Sequence, residues 1–399
     1  MKVNKRILAF SVIAGFATCS LYGRSPYISK VYEYHPAPGQ FVNEIPEYES
    51  GDTYDDILVK TEEQLCGAAR PGLVTLGAYG GYVTFGFDHC VLNKPGDYDF
   101  RVNGNAVISD RDNVGGSCEP GIILVSVDAN GNGLPDDEWY EIKGSEYDNP
   151  ATLHDYAITY YRPEADHQPS PDPNDRHVVD AKYIRWTSND VAASSGYLQR
   201  NDSHAQSYWP LWLAEDVASL SFSGARLAPN AADISGDGTY FVLKMLGEGY
   251  ADNMPSVLQK GILDPGVKID WAVKADGTPA NLEGIDFVRV YTAVNQTCGW
   301  IGETSTEVSG AEDLHPDYLS VMSVSPDTSS VVVLRSDAGK LSLRSGFDND
   351  VTVRLIDCSG RVAATLNVAP GENTFDVGHL GKGVYIVAMP KGKVAKVIF

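Results

Sequence analysis

The chain has 399 residues, 43% hydrophobic and 10% aromatic, enough for a substantial core and more than one core usually supports, so two folded units are expected. Its 31 basic and 53 acidic residues give a formal charge of −22, which argues against nucleic acid or an anionic membrane surface as the main partner. Divalent cations and neutral ligands fit that balance better, although acidity also simply keeps exported proteins soluble.

Residues 1–23 read as an export signal: basic Lys2, Lys5 and Arg6, an apolar run from Ile7 to Ala17, then small residues around Thr18 to Gly23. That run is too short to span a bilayer and no later stretch approaches ~20 apolar residues, so no transmembrane span is expected in the mature chain. Cys19 has two readings, the lipid-modified first residue of an anchored protein or a cysteine beside an ordinary cleavage site. Cys66, Cys90, Cys118, Cys298 and Cys358 show no metal-ligand spacing, and export to an oxidising compartment allows one or two disulfides among them.

After Gly51 the pattern predicts a helix, capped by Asp52, with Tyr54, Ile57, Leu58, Thr61 and Leu65 on one face and Gly67 and Pro71 closing it. The chain then reads as strands: Leu73–Ala78, Tyr82–Phe87, Tyr98–Val102, Ile122–Val127, Trp139–Ile142, Tyr156–Tyr161, Tyr183–Trp186, Ser219–Ser223, Tyr240–Met245, Val267–Trp271 and Phe287–Tyr291. Their density predicts a jelly-roll-like β-sandwich over residues 31–315. Between Arg162 and His177, Pro163, Pro169, Pro171 and Pro173 remove ladder donors, so that segment is expected to be a long surface loop. From 320 to 399, short runs separated by turn residues (Val331–Leu334, Leu341–Leu343, Val351–Ile356, Arg361–Leu366, Asn373–Val377, Val384–Ala388) predict a small immunoglobulin-like β-sandwich. Nine basic and seven acidic residues lie there, so the negative charge belongs to the first unit.

Three stretches, TLGAYGGYVTFGFD (75–88), EPGIILVSV (119–127) and LEGIDFVRVYT (282–292), resemble a family of bacterial cell-surface β-sandwich proteins. The likeness extends to Bacteroidetes surface proteins through VSVDANGNGLPDDEWYEIKGSEY (125–147) and YTAVNQTCGWIGETSTEVSGAEDL (291–314), covers roughly residues 31–315, and carries little chemistry. LIDCSGRV (355–362), FDVGHLGKGVYIVAM (375–389) and the basic, apolar end from Lys393 to Phe399 resemble the C-terminal sorting domain of the type IX secretion system. The usual Pro-Asn-Pro opening is replaced by Ser325-Pro326-Asp327. The resemblance implies secretion machinery as a partner and an extracellular or outer-membrane surface location; an immunoglobulin-like module without a sorting role is the alternative.

The sharpest local pattern is DANGNGLPDDE: Asp128, Asn130, Asn132, Asp136 and Glu138 offer side-chain oxygens, and Gly133 allows a sharp turn at the sixth place. Alternate oxygens aimed into one concavity are how a hard cation collects its ligands, so calcium is the expected cofactor. Trp139 stands where a bidentate Glu closes the helix-flanked version, leaving Asp136, Asp137 or Glu138 to supply that carboxylate. A polar hairpin whose Asn-Gly pairs make turns is the alternative. Asp233, Ser235, Asp237 and Gly238 repeat the spacing without a following acid and read as a turn.

For ligand contact, Tyr208, Trp209 and Trp212 in SYWPLW, and Trp300 in CGW, offer flat aromatic faces of the kind that bind sugar rings; burial under the sandwich is the competing reading. HExxH, GxSxG and phosphate-loop patterns are missing from the sequence, and His154, His167, His177 and His204 sit in polar contexts, so no catalytic residue is assigned. The expectation is an exported, calcium-stabilised surface protein presenting loops to a glycan or other small nutrient. The rivals are a structural or adhesive component that contacts proteins and a secreted hydrolase, which needs two carboxylates converging in a cleft.

Overall fold

The computed structural model describes residues 24–109, 115–318, 331–337, 339–357, 360–390 and 394–398; the expected export segment, Cys19, Cys358 and Ser325-Pro326-Asp327 lie outside them. The protein is mainly β, 42% strand and 5% helix, in multiple antiparallel sheets, and divides into two compact units, Arg24–Met322 and Ser323–Phe399.

The first unit is organised by a seven-stranded sheet. Its main path runs Lys30–His35, Tyr82–Leu92, Gly284–Thr292, Gly121–Ser126, Trp139–Ile142, Ala272–Val273, with Tyr250–Ala251 also paired to Gly121–Ser126. Side chains alternate between faces along a strand, and both faces of this sheet are covered. Ile123 and Val125 therefore join Ile57 and Leu65 of the helix in one core, while Ile122 faces a second core with Tyr160, Ile184 and Leu198. The second core is shared with a four-stranded sheet, Ser195–Asn201, Val178–Ser188, Leu153–Tyr161, Ser219–Arg226. Burial on two sides is why residues 121–126 read as an unbroken apolar run. A further four-stranded sheet, Ala231–Asp233, Phe241–Lys244, Gly115–Ser117, Val107–Ile108, covers a small cluster holding Cys118 and Cys298.

Local expectations change at three places, the first being the strand expected over Leu73–Ala78, of which only Val74–Thr75 forms. Helix Tyr54–Leu65 is capped by Thr53, not Asp52: Asp56 N–H donates to the Thr53 hydroxyl and Thr53 N–H to the Asp56 carboxylate, while Asp52 accepts from Lys60 Nζ at 2.7 Å. The strand expected over Val267–Trp271 shrinks to a bridge between Val267 and Phe100 followed by a 3-10 turn, Ile269–Trp271, whose first N–H donates to Asp99 Oδ2 at 2.7 Å. Cys66, Cys90, Cys118 and Cys298 are free thiols, so the disulfide allowed by export is not formed among these four.

In the second unit, strands Val331–Asp337, Lys340–Ser345 and Gly371–Asp376 form one sheet, and Val362–Val368, Val351–Asp357, Val384–Ala388 and Val394–Ile398 the other. Leu341 and Leu343 of the first meet Val353, Leu355 and Val387 of the second in a core of their own, making a two-layered β-sandwich. Among the described residues, no helix is long and apolar enough to cross a membrane.

Candidate functional site

The Asp128 loop connects two paired strands of the central sheet, Gly121–Ser126 and Trp139–Ile142. Asp128 Oδ1 accepts from Asn132 N–H and Oδ2 from Gly133 N–H, both at 3.0 Å, curling the chain around its carboxylate. Gly131 and Gly133 take positive φ of 72° and 73°, a conformation that side-chain-bearing residues adopt at a cost. Across the loop, Asp136 accepts from Asn130 Nδ2 at 3.0 Å and from Asn132 Nδ2 at 3.0 and 3.2 Å, and these bonds lower its pKa. Asn130 and Asn132 thus turn their amides to Asp136, while Asp128 holds the backbone of residues 132 and 133. The groups now facing Asp136 are amide donors, so a cation taking that place needs both amides turned, which exchanges short turn-forming bonds for oxygen ligands. Glu138 stands apart: its Oε2 accepts from Tyr140 Oη at 2.9 Å, and Asp137 accepts from Ala129 N–H.

Asp233 curls its loop in the same way, accepting from Gly238 N–H at 2.8 Å, with Gly236 and Gly238 again at positive φ. Asp237 accepts from Thr239 N–H and hydroxyl, so this loop is closed by its own turn bonds and gathers no third acid.

The aromatic stretch is pinned by Asn43, which donates to the carbonyls of Ser207 and Trp209 and accepts from Leu211 N–H. That clamp turns successive side chains different ways. Tyr208 is fully buried and Trp209 is 4% exposed, so the expectation that they face a ligand is corrected: both pack into the second core, where Tyr208 meets Tyr183 edge-on. Trp212, 9% exposed, lines a cavity of about 180 Å3 with Tyr34, His35, Pro36, Tyr82, Pro210, Leu213, Leu220, Ser221 and Phe222. Tyr34 and Trp212 stack with planes 26° apart and centroids 6.2 Å apart; His35 and Ser221 are exposed at the mouth. Trp300, 42% exposed on the 3-10 turn Gly299–Ile301, is not part of that lining and instead lies 6.2 Å from the His177 ring.

A constellation that sequence reasoning missed lies where the sheets of the first unit converge. One carboxylate oxygen each of Glu119, Asp252 and Glu307 lie within 4.8 Å of one another. Asp252 and Glu307 are buried and Glu119 keeps only partial exposure. Asp252, held at φ 51°, accepts from the N–H groups of Asn105 (2.7 Å), Ala106 (2.8 Å) and Glu307 (3.0 Å). Glu307 accepts from Thr75 Oγ1 at 3.1 Å and Ser305 Oγ at 2.9 Å; Glu119 accepts from Ser117 Oγ and Ser305 N–H. No basic side chain pairs with the three among the described residues. Burial pushes Glu119 up to about 7 and, with the neighbouring acids adding to it, raises Asp252 and Glu307 well above the usual carboxylate range. Three such groups keep protons, or share a hard divalent cation for which carboxylates and hydroxyls are suitable donors. The residues line neither the Trp212 cavity nor a larger one beside Trp271. The sequence holds no local signal for it, since the three acids come from positions 119, 252 and 307 and meet only in the folded chain.

No family model matches the chain, and no curated protein matches it. Among solved structures, a β-glucuronidase of Faecalibacterium prausnitzii is similar at 11% identity with a TM-score of 0.19, a match covering 94% of this chain and 45% of that one. The chain therefore spans less than half the length of that enzyme, and a likeness this low carries no argument about activity.

Proposed function

We propose that this is an exported surface-binding protein, a jelly-roll-like sandwich stabilised by calcium at the Asp128 loop, that takes one ring of a glycan in the Trp212 cavity. The C-terminal sandwich serves in this reading as the sorting or attachment unit that delivers the protein to the outer-membrane surface. The observation that carries the binding reading is the concave aromatic lining: Tyr34, Tyr82, Trp212 and Phe222 around about 180 Å3, with Ser221 and His35 at its mouth. Sugar rings place C–H faces on aromatic planes and their hydroxyls toward polar rims, and this cavity offers both. A structural or adhesive surface would instead present flat, polar loops at this place.

The test is a glycan screen of the full chain followed by calorimetric titration of the retained sugars. Phe222→Ala and Trp212→Ala should each weaken binding at least about tenfold, as loss of a stacking face does. Phe222 is half-buried at the rim, so its variant separates lost contact from lost folding. Equal affinity in both variants would remove the cavity from consideration.

A further inference from the structure

The larger cavity, about 640 Å3, opens on the opposite edge of the central sheet's pairing, where Trp139–Ile142 meets Ala272–Val273. Its lining includes Lys143, Gly144, Ser145, Glu248, Asp270 and Trp271. Its aromatic wall is built rather than incidental. Tyr98 meets Trp271 edge-on at 6.0 Å, and the Lys268 ammonium sits 4.8 Å from the Tyr98 centroid and 5.9 Å from that of Trp271. The half-buried indole is thus held in one orientation by an edge contact and two cation–π contacts.

The carboxylates beside it are also positioned. Tyr98 Oη donates to Glu248 Oε2 at 3.0 Å, and Asn93 Nδ2 donates to Asp270 Oδ1 at 2.8 Å. Each second oxygen, Oε1 of Glu248 and Oδ2 of Asp270, is left to accept from a ligand. Lys143 adds a donor, its Nζ shared with Asp148 at 2.7 Å, while the Ser145 hydroxyl donates to Glu146 Oε1 at 3.3 Å and offers its oxygen. Gly144, in the lining, has no room for a side chain, since a Cβ there would come within 2.4 Å of the Tyr250 ring. Fixed acceptors, a donor and an apolar plane suit a neutral molecule dense in hydroxyls, and two carboxylates against the single Lys143 ammonium in the lining disfavour an anionic one. The volume falls in the range of about 300–1,000 Å3 typical of small-ligand sites and exceeds the Trp212 cavity several-fold.

We infer that this cavity is a second and separate binding site, for a neutral oligosaccharide of more than one ring, with Trp271 as stacking platform and Glu248 and Asp270 as hydroxyl acceptors. It stands on residues that the Trp212 reading does not use, so either can fail alone. The experiment is retention of the full chain on an array of neutral oligosaccharides of two to four hexose, deoxyhexose or N-acetylhexosamine units, repeated with uronate-containing ones. Trp271→Ala is expected to weaken retention at least tenfold, and the double variant Glu248→Gln, Asp270→Asn at least threefold, with neutral chains preferred over uronates. The double variant alters exposed carboxylates only and decides the matter should Trp271→Ala fail to fold. Absence of any retained neutral oligosaccharide overturns the inference. So does retention that Trp212→Ala abolishes while Trp271→Ala and the double variant leave it intact, a result that would support the first cavity alone.

Discussion

Asp136 and Glu307 are both carboxylates ringed by oxygen- and nitrogen-bearing side chains, yet their surroundings act in opposite directions. In the exposed loop, amide donors from Asn132 and Asn130 favour the anion and pull the Asp136 pKa down. In the interior, burial together with Glu119 and Asp252 drives Glu307 up, although Ser305 and Thr75 donate to it. Hydrogen bonds alone do not decide whether a group of acids is charged; access to water does. The loop can wait for a cation as an anionic, solvated ring, whereas the interior cluster needs protons or an ion to exist at all.

The largest effect should come from cutting the interior cluster at its most connected member. Asp252→Ala strands the buried N–H groups of Ala106 and Glu307 and the part-buried one of Asn105, at about 1–3 kcal/mol for each buried group, and puts alanine at φ 51°. A loss of at least about 3 kcal/mol in urea unfolding is expected. A loss below about 1 kcal/mol would show that the cluster is not a junction of the fold.

Next in size is the ion itself. A cation that binds only the folded chain stabilises it by about 2.7 kcal/mol at a hundredfold excess over its Kd. Calcium should therefore raise the unfolding midpoint, chelation should reverse it, and Asp128→Ala should abolish the gain while Glu307→Gln leaves it. The reverse pattern would move the ion to the interior cluster, and no calcium response in the parent chain would remove it from both.

These two regions also differ in how much of them could be read from the sequence. The loop was legible as a turn because its logic is local: alternate oxygens and glycines at 131 and 133 act within a few residues, and the bonds of Asp128 to Asn132 N–H and of Asn130 and Asn132 to Asp136 close it. The cluster joins residues 119, 252 and 307, so only tertiary structure creates it. The same division governs the fold. Ile122–Val127 was expected as a strand and forms one over Gly121–Ser126, but Lys30–His35, with charges at Lys30 and Glu33, became a strand only by pairing with Tyr82–Leu92. Asn43 likewise decides which tryptophan of the SYWPLW stretch reaches a cavity, from 164 residues away in the chain at Ser207.

A smaller effect isolates charge inside the cluster. Acids whose folded pKa is raised give stability that is complete below the unfolded value and is lost as pH climbs through the folded one, because the folded state then holds more protons than the unfolded state. For Glu119 that window runs from the ordinary carboxylate value to about 7. His89 titrates in the same sense: burial opposes its charged form, but bonds to Asp313 and Asp88 outweigh it and raise the pKa, so its contribution also fades with rising pH. Without divalent ions, stability should fall between pH 5 and 8, and Glu307→Gln, which can keep accepting from Thr75 and Ser305, should flatten the fall by about 1–2 kcal/mol at pH 8. An unaltered slope would assign the pH dependence to groups outside the cluster: His89, or the buried acids Glu141 and Glu303, both pushed up to about 7, and Asp264, pushed up to about 6.

The smallest effect completes the contrast by making the same carboxylate-to-amide change in the loop. Asp136→Asn in calcium-free protein removes an exposed charge whose hydrogen bonds come from two amides that water can replace, so the urea midpoint should not move measurably. If calcium binds at the Asp128 loop as proposed, the same variant removes a carboxylate ligand, and the ion's stabilising effect should shrink. A single substitution is then silent without the cation and costly with it, whereas Glu307→Gln is stabilising without the cation. If Asp136→Asn behaves identically in both conditions, the convergence of Asn130, Asn132 and Asp136 is a hydrogen-bonded hairpin turn and not a place for an ion.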